Sequence, residues 1–169
     1  YCHTPMRYAW DKYRDYFQGN PFEPLIHPIT HYLRLWDTLS ASRVDHFIAN
    51  SNWTRNRIRA FYRRPAQVIY PPVTINPVRP TPGDRGDYYL VVSAFAPYKR
   101  IELAIDACEQ MGRRLLIVGE GQQAGKLKTH ARGNTTFLGR MSGEELSDTY
   151  AGAKALLYPG EEDVGITPL

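Results

Sequence analysis

The sequence predicts an α/β protein built on doubly wound parallel sheets, and three features carry that prediction. Beyond residue 87, short apolar runs alternate with amphipathic segments of about ten residues, the rhythm of successive βαβ units. The apolar runs, such as Leu90-Val91-Val92 and Leu115-Leu116-Ile117-Val118, are continuous rather than alternating, as strands covered on both faces require. Between the two halves, residues 70–83 hold five prolines and a glycine, which forbid helix or central strand there.

The first half, residues 1–76, begins with Tyr1-Cys2-His3-Thr4-Pro5, which reads as a strand end running into a loop and suggests an internal piece of a longer protein. Aromatic-rich helical stretches follow at 7–17 and 29–40, then a short strand, Phe47-Ile48-Ala49. Asn50 to Asn52 offer N-cap residues for a helix reaching about Tyr62, and a strand over 67–70 closes the half. Residues 77–86 form the expected linker. The second half, 87–169, predicts strands at 88–93, 114–118, 135–138 and 155–158, with helices at 100–110, 122–131 and 143–151. Ser142 with Glu145 three residues on makes a capping box for the last of these. Val164 to Pro168 is expected to open a further helix.

Composition excludes several classes. No run approaches the roughly twenty apolar residues of a spanning helix, and no leader peptide is visible, so a cytoplasmic segment is expected. Cys2 and Cys108 are too few and too far apart for a disulfide framework or a metal pair. The sequons at Asn52 and Asn134 would matter only in an exported protein. The net charge of +4 suits an anionic partner without selecting one. Its most local source is Arg55, Arg59 and Arg63, four apart on one helix face, either a solvated face or a contact for an anionic membrane or phosphorylated acceptor. Nucleic acid is not among the expected partners.

Ligands of an open parallel sheet collect beyond the carboxyl ends of its strands, which directs attention to four loops. After Leu90 to Ser93, Lys99 and Arg100 stand at a strand-to-helix junction, where a cation can reach a phosphate favoured by helix amides. After Val118, Gly119-Glu120-Gly121-Gln122-Gln123-Ala124 fits the dinucleotide fingerprint formally, although Gly139-Arg140 stands where the ribose-binding acid belongs. Gly139 and Arg140 form a third loop, in which main-chain groups could approach a flat base. In the fourth, Glu161, Glu162 and Asp163 repel one another and call for hydroxyl groups or cations, while the amides of Gly165 and Ile166 suit a diphosphate. With no Asp-x-Asp pair, His cluster or Cys-x-x-Cys, a tightly held metal is not expected, and cationic side chains must neutralise a diphosphate leaving group.

In this order the segments resemble family 4 of the retaining GT-B glycosyltransferases, mannosyltransferase-like members in particular. The likeness rests on Tyr1-Cys2-His3-Thr4-Pro5-Met6-Arg7-Tyr8-Ala9-Trp10-Asp11, Phe47-Ile48-Ala49-Asn50-Ser51, Val68-Ile69-Tyr70-Pro71-Pro72-Val73, Pro97-Tyr98-Lys99-Arg100, Ile117-Val118-Gly119-Glu120-Gly121 and Pro159-Gly160-Glu161-Glu162-Asp163-Val164-Gly165. The resemblance implies two Rossmann-like domains, both incomplete in this chain, with a nucleotide-sugar donor between them and no metal or other cofactor. It implies transfer of a hexose, most simply mannose from GDP-mannose, to a saccharide or lipid-linked acceptor with retained configuration. Lys99 would contact the diphosphate, Gly139 and Arg140 the base, and Glu162 the sugar hydroxyls. His3 would face the transferred sugar, and Arg7, Tyr8 and Trp10 would shape the acceptor side, although core packing also accounts for Trp10. Ala94 departs from the pattern, which places an arginine there, so Arg100 must substitute or the leaving group is less stabilised. Val164 stands where an aromatic residue is usual, and the second glutamate of the pattern, eight residues after Glu162, falls beyond Leu169. The isolated piece is therefore expected to be inactive. A pyridine-nucleotide oxidoreductase and a non-catalytic nucleotide-sugar-binding module are the alternatives.

Overall fold

The computed structural model describes residues 1–73 and 86–168, so the expected linker lies outside the described residues except for Gly86. The chain divides into two compact units, Tyr1–Pro72 with Glu162–Gly165, and Val73–Glu161 with Ile166–Leu169.

In the first unit, α1 (Tyr13–Phe17) and α2 (Glu23–Ser42) precede β1 (Phe47–Ala49), α3 (Asn52–Tyr62) and β2 (Ala66–Val68). β1 and β2 pair in parallel, and Cys2 adds one isolated parallel bridge to Ala49 without forming a strand of its own. The helix expected over 7–17 shrinks to α1. Tertiary bonding explains the difference: Arg34 donates to the Ala9 carbonyl, the acceptor that Tyr13 would use in a continuous helix, and the Tyr13 amide turns to Trp10 instead. α2 begins six residues before the expected start, with Pro24 in its first turn and Pro28 inside it. The buried Thr30 hydroxyl donates to the carbonyls of Ile26 and His27 in the same turn. Ser51 caps α3 by accepting from the Thr54 amide at 3.0 Å, and Thr54 and Ile58 are fully buried below it.

The second unit is a four-stranded parallel sheet in the order β5-β4-β3-β6, formed by β3 (Tyr88–Val92), β4 (Arg114–Val118), β5 (Thr135–Gly139) and β6 (Ala155–Leu156). Alternate residues of β3 and β4 supply two separate cores. Val91, Leu115 and Ile117 pack with Ile101, Ile105 and Cys108 of α4 (Ile101–Gln110) and Leu127 of α5 (Ala124–His130). Leu90, Leu116 and Val118 pack with Leu146 and Tyr150 of α6 (Gly143–Gly152) on the other face. The period of two thus divides one apolar run between two helical layers, which is the doubly wound arrangement. The capping box of Ser142 and Glu145 forms as expected.

One expectation fails at the end of the chain. No helix opens at Gly165 and Ile166 among the described residues; Val164 to Pro168 is turn and bend, with Gly165 at φ +70°. Gly165 takes the left-handed region, which carries the backbone off the helical path at the point where the helix is expected to begin. These amides therefore lack the helix-start geometry expected to favour a diphosphate.

Candidate functional site

The sheet order singles out one place in the second unit. From β3 the chain goes outward to β4 and β5 on one side, then returns to lay β6 on the other. Strand order therefore reverses between β3 and β6, and the ground beyond their carboxyl ends is where ligands of such sheets gather. A notch of about 10 Å³ lies there, lined by Ser93, Lys99, Leu157, Tyr158, Pro159 and Gly160 among others.

Lys99 is delivered to this crevice in two steps. A 3₁₀ turn, Pro97–Lys99, follows the loop after β3, and α4 starts only at Ile101. Between them Arg100 takes a left-handed conformation, φ 49° and ψ 40°, an uncommon and strained state for a residue with a side chain. Lys99 therefore precedes the helix rather than opening it, because the left-handed residue breaks the helical path. Its half-buried side chain places Nζ 5.3 Å from the Tyr98 ring centroid, within cation–π range. Arg100 is exposed. The loop after β6 packs against this turn: the Glu161 amide donates to the Tyr98 carbonyl at 3.4 Å. A Cβ on Gly160 would lie 2.8 Å from Lys99 Cα, so only glycine permits the approach.

The dinucleotide-like loop serves the protein's own backbone. A Cβ on Gly119 would meet the Ser93 carbonyl at 1.9 Å, and one on Gly121 the Phe95 backbone at 2.7 to 3.0 Å. The Phe95 amide donates to Glu120, and the Gln123 amide donates to Phe95. Peptide thus fills the space that a pyrophosphate would need over these glycines, which removes the motif supporting an oxidoreductase. Gly139, at φ +72°, accepts from the Gly119 amide at 2.8 Å, so one lone pair of its carbonyl is engaged; Arg140 beside it is exposed.

In the first unit, His3 is exposed beside the bridged Cys2, its ring edge-on to Tyr1 with centroids 5.2 Å apart. With Tyr1, Asp37, Phe47 and Tyr62 it lines a pocket of about 430 Å³. Asp37 is the hub of that pocket, accepting from Trp10 Nε1 at 2.8 Å and from the Tyr62 hydroxyl at 2.9 Å. Burial and this carboxylate push the Tyr62 hydroxyl well above the usual tyrosine range. Trp10 also stacks on Phe61, centroids 4.8 Å apart, so it packs within the first unit. Tyr8 is 40% exposed and stands edge-on to Tyr16.

The acidic loop contains the pairing that sequence reasoning missed. Arg7 reaches one oxygen of Asp163 at 2.5 Å and Arg57 the other at 2.8 Å, while Arg57 also bonds Thr4 at 2.6 Å and pairs with Asp11. Glu162, the neighbour of Asp163, is half-buried. Mutual repulsion in the loop is thus relieved by two arginines, one of them Arg7. The signal for Arg57 was available: Thr54, Arg57, Ile58 and Phe61 fall on one face of α3, which places an arginine among buried residues. Among the described residues, no group of three His, Cys, Asp or Glu gathers as a metal site, and no helix is long and apolar enough to cross a membrane.

The comparisons with known proteins agree with this architecture. Among solved structures, AviGT4, a glycosyltransferase involved in avilamycin A biosynthesis, matches at 24% identity and TM-score 0.51, covering 66% of this chain and 34% of that one. S. aureus TarM, in complex with fondaparinux, alpha-GlcNAc-glycerol and UDP, matches at 16% identity and TM-score 0.60, with coverages of 75% and 27%. The pneumococcal O-GlcNAc transferase GtfA, in complex with UDP and GlcNAc, matches at 17% and TM-score 0.53, with coverages of 73% and 27%. At these identities the likeness is one of fold, and the chain spans about a third or less of each of those proteins. No curated protein sequence matches the chain significantly. The family model of glycosyl transferases group 1 matches residues 76–169, more than half of the chain. The chain therefore belongs to the group 1 glycosyl transferases, with a GT-B-type α/β fold.

Proposed function

We propose that the protein transfers a hexose, mannose from GDP-mannose in the first instance, to a saccharide or lipid-linked acceptor with retention of configuration. The observation that carries this reading is Lys99, set at the switch point of the second sheet and braced there by Gly160. A lysine in that crevice suits the developing charge on a departing nucleoside diphosphate, and Arg100 supplies a second cation in place of the arginine that Ala94 lacks. No metal is required in this scheme. Gly139 and Arg140 meet the base, and Glu162 accepts from sugar hydroxyls; His3 faces the transferred sugar, with Arg7 and Tyr8 on the acceptor side. Gly165 and Ile166 offer main-chain amides to the donor, but from a turn.

A donor panel run with the intact parent protein tests the reading. GDP-mannose should bind and turn over in preference to UDP-sugars, which the UDP bound to TarM and GtfA makes the first competitors. Lys99→Ala should weaken nucleoside diphosphate binding by roughly one to two orders of magnitude, as loss of a charge-assisted contact does. Unchanged turnover in that variant would remove Lys99 from the mechanism. Binding without any turnover would favour the non-catalytic module, which Ala94 supports.

The work is proposed to take place at the cytoplasmic membrane surface. Arg55, Arg59 and Arg63 are all exposed and line, with Arg64, a groove of about 560 Å³ in the first unit. Basic residues near an anionic bilayer are worth about 1 kcal/mol each. Co-sedimentation with phosphatidylglycerol vesicles should fall when all three are changed to glutamine, and salt should abolish it; equal binding to neutral vesicles would exclude this contact.

A further inference from the structure

The polar cluster around Arg57 joins segments that are far apart in sequence. Its guanidinium donates to Thr4 Oγ1 at 2.6 Å and to Asp163 Oδ1 at 2.8 Å, and pairs with Asp11. Thr4 is the neighbour of His3, and Asp163 is the neighbour of Glu162. Arg7 takes the other oxygen of Asp163 at 2.5 Å. The His3 carbonyl is tied as well, accepting from the Thr54 hydroxyl at 3.2 Å one turn before Arg57 on α3. All of these residues belong to the first unit.

Such an arrangement is costly for mere cohesion. Arg57 is only 6% exposed, on a helix face whose other members, Thr54 and Ile58, are fully buried. Its Nε is buried without a hydrogen-bond partner. Apolar residues in place of the arginine and its carboxylate partners together would hold α3 as well or better, since a buried ion cluster adds little net stability over a packed apolar one. What an apolar residue could not do is set direction: the planar fork of a guanidinium fixes several acceptors in one plane at defined angles. We propose that Arg57 is a positioning residue that sets His3 and Glu162 in register with each other, with Arg7 as a second tie on Asp163. This deepens the function proposed above and rests on it for the roles of His3 and Glu162.

Three variants of the intact protein test the idea: Arg57→Lys, which keeps charge but loses the fork; Asp163→Asn, which keeps shape; and Thr4→Val, which removes one bond and no charge. Transfer kcat should fall roughly 10- to 100-fold in the first two and less in Thr4→Val, since misplacement of reacting groups by about an ångström has effects of this size. Affinity for the nucleoside diphosphate without sugar should stay within about twofold, because it does not depend on the sugar-facing residues. Parallel losses in nucleoside diphosphate affinity, thermal midpoint and kcat would mark a purely structural arginine and overturn the proposal, as would wild-type kcat in all three. A second readout stands apart from catalysis: the His3 imidazole resonance, assigned by its absence in His3→Asn, should shift in Asp163→Asn although the substitution is made in a distant segment. An unmoved His3 resonance overturns the coupling. Failure of the wild-type protein to transfer any sugar, with the His3 shift still present, would sink the glycosyl-transfer reading and leave the coupling standing.

Discussion

Gly160→Ala is a small change whose consequence can be worked from main-chain geometry. The added Cβ would lie 2.8 Å from Lys99 Cα, 2.9 Å from its carbonyl oxygen and 3.1 Å from its carbonyl carbon. All three are backbone atoms, so no rotamer relieves the clash. Ordinary contact begins near 3.4 Å, so one segment must retreat by about 0.6 Å. The atoms met belong to Lys99 itself, so relieving the clash alters how Lys99 is seated. Overpacking of this kind costs about 1–3 kcal/mol. A displaced ammonium should weaken nucleoside diphosphate binding by roughly tenfold. Calorimetric titration of wild type, Gly160→Ala, Lys99→Ala and the double variant checks this. The double variant should bind no worse than Lys99→Ala, because a displaced lysine and an absent one remove the same contact. Wild-type affinity in Gly160→Ala, or losses that add in the double variant, would refute the reasoning.

Other glycines should respond in opposite directions. Gly119→Ala puts a Cβ 1.9 Å from the Ser93 carbonyl and should abolish cooperative unfolding of the second unit, read by circular dichroism. Gly125→Ala, inside α5 with open space around it, should stabilise by about 0.5–1 kcal/mol in a urea titration. Burial raises both thiol pKa values, but Cys108 is fully buried and Cys2 only partly, so a disulfide reagent should modify Cys108 only on unfolding and Cys2, slowly, in the native state. Hydrogen bonds from the Ser142 amide and hydroxyl hold the Glu145 carboxyl below its ordinary value. A depressed folded-state pKa stabilises above the unfolded value and loses that effect as pH falls through the folded one. The second unit should therefore lose stability on acidification below the ordinary glutamate range, less steeply in Ser142→Ala.

What local pattern decides was legible at once. The apolar runs of β3 and β4, the glycine after β4 and the Ser142 capping box depend on contacts a few residues apart, and each forms close to where the sequence places it. Periodicity also marked Lys99 as a cation near a strand tip, since the loop after a parallel strand is where such residues gather. By contrast the stretch before Tyr13 looked helical and is not, because Arg34, twenty-five residues away, takes the Ala9 carbonyl.

By itself the sequence determined a parallel α/β architecture, its strand and helix succession, and the family pattern, because hydrophobic period, turn residues and caps act over one or two turns of chain. Only the tertiary structure decided that β6 lies beside β3, so that the strand order reverses at Lys99. It alone showed that Gly119 and Gly121 admit backbone rather than a dinucleotide, and that Arg57 and Arg7 hold Asp163. These depend on which distant segments approach within a few ångströms, and many pairings of the same local elements are compatible with one pattern of residues along the chain.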